Sequence, residues 1–252
     1  MRSPTDRFAG PLRDAASGLA DLLLPLRCAG CGAPVTGWCP SCARDLGGPR
    51  RVRGELLDDL PGPAPPVFAL GGYRGALRRA ILAYKVSGRR DLADPFGRAL
   101  ATGLRSLLSW DAQLRPGTPA DERPLPGFDR RAREWHLVPA PSRAITSRRR
   151  GGAHMTRVAH RAARDLAEHG VPASVADCLA VRGARDSVGL DPQERRRNLA
   201  GSLLLRGRPP AGPVLLVDDV LTTGATIAAC VRSLAAAGAL TCGVLVLTAV
   251  PE

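Results

Sequence analysis

Two acids and three threonines near the C-terminus are the residues best suited to chemistry. Asp218 and Asp219 follow an apolar run, and a short loop comes after them, made of Thr222, Thr223, Gly224, Ala225 and Thr226. Hydroxyl groups and free backbone N–H groups at a helix N-terminus bind phosphate, and a glycine lets the chain approach the ligand closely. Carboxylates suit ribose hydroxyls or a magnesium ion that the ligand carries. The pattern predicts a phosphate cradle with two acids beside it.

The flanking residues predict the elements that position this loop. Four consecutive apolar residues, 214–217, are typical of a strand covered on both faces, as in a parallel sheet. After the loop, Ile227, Val231 and Leu234 recur at helical spacing. The alternative is a buried strand and helix with an N-capping threonine, but a cap needs one hydroxyl and not three with two acids.

Four cysteines near the N-terminus form a second group with a chemical pattern. They form two CxxC pairs separated by seven residues, namely Cys28 with Cys31 and Cys39 with Cys42. Two such knuckles offer four thiolates at tetrahedral reach, which favours structural zinc. Two disulfides are the alternative, but a reducing cytosol favours metal. Four protein ligands leave no open position for catalysis, so we expect a structural or interactive role.

A proline-fixed loop predicts a second anion site. A short strand, 136–138, is broken by Pro139, Ala140 and Pro141, and then Ser142 and Arg143 follow. An arginine cluster at 148–150 and two glycines precede a predicted helix. Arginine and glycine before a helix suit anion binding. A solvated basic face explains these residues equally well.

The remaining elements alternate between strand and helix. We predict helices at 74–86, 92–108 and 155–169, and strands at 67–73, 175–181, 198–205 and 243–250. Residues 47–66 are rich in Gly, Pro and Arg and indicate a linker. Alternating strands and helices predict an α/β fold with a parallel sheet and helices on both faces, whose ligands bind at the carboxyl ends of the strands.

Composition narrows the class of protein. The formal net charge is +13, and Lys85 is the only lysine, so almost all of the positive charge is arginine. Such charge favours nucleic-acid binding, but aromatic residues make up only 4% of the chain, which weakens a base-stacking platform. No run of about 18 apolar residues occurs. We therefore expect a cytoplasmic protein without membrane insertion.

Residues 214–226 resemble the phosphoribosyl pyrophosphate (PRPP) signature of type I phosphoribosyltransferases. Together with the cysteine pairs, Ala83-Tyr84-Lys85, the loop after residue 138 and the G-L-D-P-Q-E-R-R-R-N-L-A-G segment, the chain resembles the ComF family over residues 28–250. That resemblance implies a zinc ribbon ahead of a type I phosphoribosyltransferase-like domain. It implies that Asp218 and Asp219 contact ribose, that 222–226 holds the 5-phosphate, and that Ala140, Ser142 and Arg143 belong to a pyrophosphate loop.

The resemblance also implies a domain division and a functional context. The predicted units are an N-terminal arm (1–26), a zinc ribbon (27–46) and a phosphoribosyltransferase-like domain (67–252), which comprises a hood (67–108), a flexible insertion (111–130) and a core (131–252). A flexible loop is expected at 182–198. Three functions remain open: a transferase using PRPP and magnesium, a PRPP-binding module without turnover, and an adaptor in DNA uptake or processing that contacts DNA or a helicase.

Overall fold

The computed structural model of the protein describes residues 27–34, 36–60, 62–110, 134–141, 154–181 and 203–251. The predicted arm (1–26), insertion (111–130) and flexible loop (182–198) lie outside these ranges. Within them, the strands are β1 (Arg50–Val52), β2 (Val67–Gly72), β3 (Trp135–Pro139), β4 (Ala173–Val175), β5 (Leu179–Val181), β6 (Leu203–Leu205), β7 (Val214–Leu221) and β8 (Thr241–Ala249). The α-helices are α1 (Pro40–Ala43), α2 (Gly75–Val86), α3 (Ala93–Trp110), α4 (His154–Glu168) and α5 (Ala225–Ala236).

Six of these strands form one sheet in the order β1-β2-β8-β7-β3-β4. The five strands β2, β8, β7, β3 and β4 each run parallel to the next in this order. β1 pairs with β2 in the antiparallel direction. Strands β5 and β6 pair separately as an antiparallel ribbon. The predicted α/β fold with a mostly parallel sheet is therefore confirmed. The carboxyl ends of β3 and β7 lie side by side in this order.

Helices cover both faces of the sheet. On one face, apolar side chains of α2, α3 and α4 pack against Leu215 and Val217 of β7. On the other face, α5 packs against Val214 and Leu216 of the same strand. The apolar side chains that recur at helical spacing in α3 are buried: Phe96, Leu100, Leu104 and Leu107. None of the helices in the described ranges has the length and hydrophobicity needed to span a membrane.

Two segments differ from the sequence predictions. The predicted linker, 47–66, contains β1 and a 3-10 turn at Glu55–Leu57, because backbone pairing with β2 forms a strand where the side chains show no pattern. The predicted strand at 175–181 is two short strands, β4 and β5, which belong to different sheets. β2, the first element of the segment predicted as a hood (67–108), pairs with β8 in the main sheet. The division into hood and core stays a prediction.

Candidate ligand site at the carboxyl end of the sheet

The two acids lie within β7 and not after it. Pairing with β8 continues past them, with Asp218 opposite Val246 and Val220 opposite Thr248. Successive side chains of a strand point to opposite faces. Asp219 therefore shares the face of Val217 and the helices α2 to α4, while Asp218 shares the face of Leu216 and α5.

Asp219 is buried, and both of its carboxylate oxygens have side-chain partners. Its side chain is 3% exposed; Oδ1 lies 2.7 Å from Lys85 Nζ and Oδ2 lies 2.6 Å from His154 Nε2. Burial alone would raise the pKa of Asp219, but the hydrogen bond from His154 and the charge of Lys85 outweigh burial and hold this pKa below its usual range. Thr248 Oγ1 donates to the backbone carbonyl of Asp219 at 3.1 Å. Asp219 is thus an ionised group fixed from three sides.

Lys85 and His154 reach Asp219 from opposite ends of two helices. Lys85 is in the last turn of α2, and His154 is the first residue of α4. Tyr84 donates a hydrogen bond of 2.7 Å to the carbonyl of His154, and the two rings meet edge to face at 5.8 Å. Burial raises the pKa of Tyr84 to about 12. The contacts between Tyr84 and His154 therefore hold the end of α2 and the start of α4 together above β7.

Asp218 has a different environment. Among the described residues, its carboxylate accepts a hydrogen bond from the amide N–H of Asp219, at 2.8 Å. Asp218 is partly exposed. Desolvation by the surrounding protein atoms, together with the charge of Asp219, raises the pKa of Asp218 to about 8. The adjacent acids are therefore unequal, since Asp219 is bound by Lys85 and His154 while Asp218 accepts a hydrogen bond from a backbone amide.

The loop at 222–224 joins β7 directly to the N-terminus of α5. Gly224 is the N-cap residue, with φ of 84°, in the left-handed region that favours glycine. Among the described residues no side chain caps the helix, and the first backbone bond of the helix runs from the Ala228 N–H to the carbonyl of Gly224 at 2.8 Å. The partial positive charge of the helix N-terminus lies at the carboxyl end of the sheet. This geometry is suited to an anion.

The 3-10 turn at Glu55–Leu57 packs against this loop. Leu56 N–H donates to the carbonyl of Thr223 at 3.1 Å. A β-carbon added at Gly224 would lie 3.3 Å from Leu57 Cγ and 3.5 Å from Gly54 Cα. The turn therefore supports the loop from outside, and no local motif in the Gly-rich and Pro-rich stretch indicates this contact.

One residue of the predicted pyrophosphate loop lies beside β7. Ala140 is buried and its N–H donates to the carbonyl of Val217 at 2.8 Å. The backbone after β3 thus runs next to the two acids. Ser142, Arg143 and the arginine cluster at 148–150 lie outside the described residues, so their predicted roles stay predictions.

The four N-terminal cysteines lie together, as the spacing predicted. The sulfur atoms of Cys28, Cys31, Cys39 and Cys42 are all within 4.8 Å of one another. The Cys31 and Cys39 sulfurs are 3.6 Å apart, close to the edge of about 3.8 Å in a tetrahedron with zinc–sulfur bonds of about 2.3 Å. The four thiols are therefore placed to hold a metal such as zinc.

Backbone groups stabilise a thiolate in this cluster. Burial would raise the pKa of Cys28, but backbone hydrogen bonds from Cys31, Cys39 and Gly30 outweigh burial and lower this pKa to about 6. The Cys39 N–H lies 3.4 Å from the Cys28 sulfur. Burial and the neighbouring thiols raise the pKa of Cys42. A cation at the centre would offset the repulsion that opposes ionisation of all four.

The cysteine module packs against the main domain. Arg89, just after α2, donates to the carbonyls of Arg27 at 3.1 Å and Gly37 at 3.2 Å. Trp38 meets Phe96 of α3 edge to face, with ring centroids 6.0 Å apart. The module therefore adds to the core that α2 and α3 form and does not hang on a free linker.

Sequence reasoning assigned no partner to the two acids. Lys85 stands out in the sequence as the only lysine and as part of a short motif, but no sequence pattern connects Lys85 or His154 to Asp219. The signal for Lys85 was present in the composition, because a single lysine among so many arginines is unusual. No local pattern could connect His154 to Asp219, which is 65 residues away in the chain.

Two comparisons with known proteins found no counterpart: no protein-family model matches the chain, and no curated protein matches it.

Proposed function

We propose that this chain is a phosphoribosyltransferase-like protein of the ComF type that binds PRPP or a related ribose 5-phosphate with magnesium. The loop at 222–226 would hold the 5-phosphate, and the acids of β7 would lie beside the ribose. The cysteine module would hold one structural zinc ion. Turnover would transfer phosphoribose to an acceptor and release pyrophosphate.

One observation carries the proposal more than any other. A strand with two acids leads into a short loop, and Gly224 at the end of that loop begins a helix whose N-terminus no described side chain caps. The phosphate would bind the N–H groups at the start of α5 and the hydroxyls of Thr223 and Thr226. Ala140, after the neighbouring strand β3, places a second backbone segment near Asp218. A phosphorylated sugar can then contact both strand ends, as ligands do at the carboxyl edge of parallel sheets.

Catalysis at such a site would rest on orientation and charge. Departing pyrophosphate is stabilised by magnesium and cationic groups, and the enzyme positions the acceptor against the anomeric carbon. The only carboxylates of β7 are Asp218 and Asp219. The site therefore supports binding of the donor more strongly than any particular acceptor.

Calorimetric titration with PRPP, ribose 5-phosphate and inorganic phosphate tests this proposal. Thr223→Ala and Thr226→Val each remove one hydroxyl from the phosphate site. A hydrogen bond to a charged group contributes about 1.5 to 3 kcal/mol, so the affinity for every ligand with a 5-phosphate should fall about tenfold to a hundredfold. Thr241→Val, a partly buried threonine at the start of β8, is the matched control and should leave the affinities unchanged.

Pyrophosphate release separates a transferase from a binding module. Protein incubated with PRPP, magnesium and a panel of nitrogenous acceptors should release pyrophosphate only in the presence of the true acceptor. Tight PRPP binding with no release for any acceptor would indicate the binding module. The absence of any heat or thermal shift at millimolar PRPP would overturn the proposed function.

A further inference from the structure

We infer that Lys85 and His154 hold Asp219 as a positioning residue, so that Asp218 is the only acid of β7 that contacts the ligand. We name the three residues Lys85, Asp219 and His154 the charge clamp. This inference rests on the proposed function for the ligand's identity, but the clamp itself can be measured without any ligand. It divides the roles of two acids that the sequence motif treats as a pair.

The oxygens of Asp219 are already used. Oδ1 is 2.7 Å from the ammonium of Lys85 and Oδ2 is 2.6 Å from the imidazole of His154. The side chain is 3% exposed, so a ribose hydroxyl or a magnesium ion could reach it only by displacing one of these partners. Leaving the buried carboxylate of Asp219 without one of these partners is costly. A ligand therefore gains little by binding Asp219 directly.

Asp218 meets the opposite condition. It lies on the other face of β7, is partly exposed, and accepts a bond from the amide N–H of Asp219. The phosphate loop, residues 222–226, begins a few residues after Asp218. The backbone of Ala140 also runs beside Asp218, because the Ala140 N–H donates to the carbonyl of Val217. Asp218 can thus bind ribose or a ligand-borne magnesium ion while the charge clamp stays closed.

The clamp has a mechanical consequence for the loop. It joins the last turn of α2 and the first turn of α4 to β7, three residues before Thr222. Thr248 also holds the Asp219 backbone through a 3.1 Å bond to its carbonyl. The clamp therefore fixes the strand from which the phosphate loop begins, and this is how Asp219 would influence binding without touching the ligand.

Lysine suits this clamp better than arginine does. An ammonium group is a compact charge that can pair with one oxygen, whereas a guanidinium fork prefers both oxygens of a carboxylate. Because His154 already binds Oδ2, a bidentate arginine would compete with it. Lys85 is the only lysine of the chain, among many arginines, and it lies at this position.

The single lysine provides a direct probe. Protein labelled with ¹³C at the lysine ε-carbon gives one lysine signal, which reports the surroundings of Lys85. In Asp219→Asn the charge is lost with little change of shape, so this signal should move. In Asp218→Asn it should stay near its wild-type position. When wild-type protein is saturated with ribose 5-phosphate and magnesium, its lysine signal should still differ from the lysine signal of Asp219→Asn.

Thermal unfolding and ligand affinity separate the two acids further. Asp219→Asn should lower Tm by about 5 to 10 °C, and Lys85→Met should add little to that loss because the pair is already broken. Asp219→Asn should weaken phosphate and ribose 5-phosphate by the same factor and keep the magnesium dependence. Asp218→Asn should leave phosphate affinity unchanged and weaken ribose 5-phosphate with magnesium at least about tenfold.

Asp165→Asn is the matched control. Asp165 pairs with Arg105 at 3.5 Å between α3 and α4, away from β7, so its loss should leave all ligand affinities unchanged. Additive Tm losses in Asp219→Asn with Lys85→Met, or a lysine signal that ligand moves to its Asp219→Asn position, would overturn the inference. If wild-type protein binds no ribose 5-phosphate, the proposed function and the ligand role of Asp218 fail, while the lysine signal and the Tm cycle still decide whether the clamp exists.

Discussion

Replacing Gly224 with alanine should damage the phosphate loop more than the same change at the other end of α5. Gly224 has φ of 84°, and an added β-carbon would lie 3.3 Å from Leu57 Cγ and 3.5 Å from Gly54 Cα. Gly238, after the C-terminus of α5, has φ of 79°, and no described residue outside its chain neighbours would lie within 4 Å of an added β-carbon. The two substitutions thus share the backbone strain and differ in the contacts.

The magnitude follows from these two contributions. A side chain in the left-handed region costs about 1 to 2 kcal/mol, which is the expected loss for Gly238→Ala. Crowding against Leu57 Cγ adds about 1 kcal/mol for Gly224→Ala, the lower end of the cost of overpacking. The free energy of unfolding should therefore fall by about 2 to 3 kcal/mol in Gly224→Ala. A displaced loop should also lower ribose 5-phosphate affinity at least about tenfold.

Urea unfolding and calorimetric titration of both variants check this prediction. Gly238→Ala should bind ribose 5-phosphate as wild type does, because it changes only the far end of the helix. Equal losses of stability in the two variants would refute the role of the 3-10 turn as a support. Wild-type affinity in Gly224→Ala would refute the importance of the loop's backbone conformation for binding.

Three further outcomes are expected. Purified protein should hold about one zinc ion per chain by elemental analysis, and Cys28→Ser should lose the ion and lower Tm, because the module packs against α2 and α3; unchanged Tm would contradict that coupling. Absorbance at 295 nm should show a tyrosine that ionises near pH 12 and is absent in Tyr84→Phe, since burial disfavours the phenolate and opposes folding as the pH rises above its unfolded pKa of about 10; a titration complete near pH 10 in the folded protein would contradict it. If the net charge of +13 serves DNA, affinity should fall steeply with salt and depend on the arginines at 148–150 and 195–197; binding that ignores salt would leave the charge without that role.

Local patterns predicted much of the fold because they act over short distances. Phe96, Leu100 and Leu104 recur at helical spacing and are buried in α3. Residues 214–217 form an apolar run and are buried on both faces of β7. The CxxC pairs likewise predicted a cluster of sulfur atoms, since each knuckle is a local turn.

Long-range pairing explains what local patterns missed. β1 carries Arg50 and Arg51, which show no strand pattern, and it forms because its backbone pairs with β2. The acids of β7 were expected after the strand, but pairing with β8 extends the strand beyond them. Lys85 and His154 come from distant segments, so only the packing of α2 and α4 on one face of the sheet brings them to Asp219.

The measurement that tests the central claim most directly is an amide NMR titration of ¹⁵N-labelled protein with ribose 5-phosphate and magnesium. If the phosphate binds the N-terminus of α5, the largest shifts should fall on the N–H groups of residues 222–227, with smaller shifts at Asp218 and Ala140. Gly238, at the other end of the helix, should not move. Absence of shifts at millimolar ligand, or shifts centred elsewhere in the chain, would contradict the claim that this loop is a phosphate site.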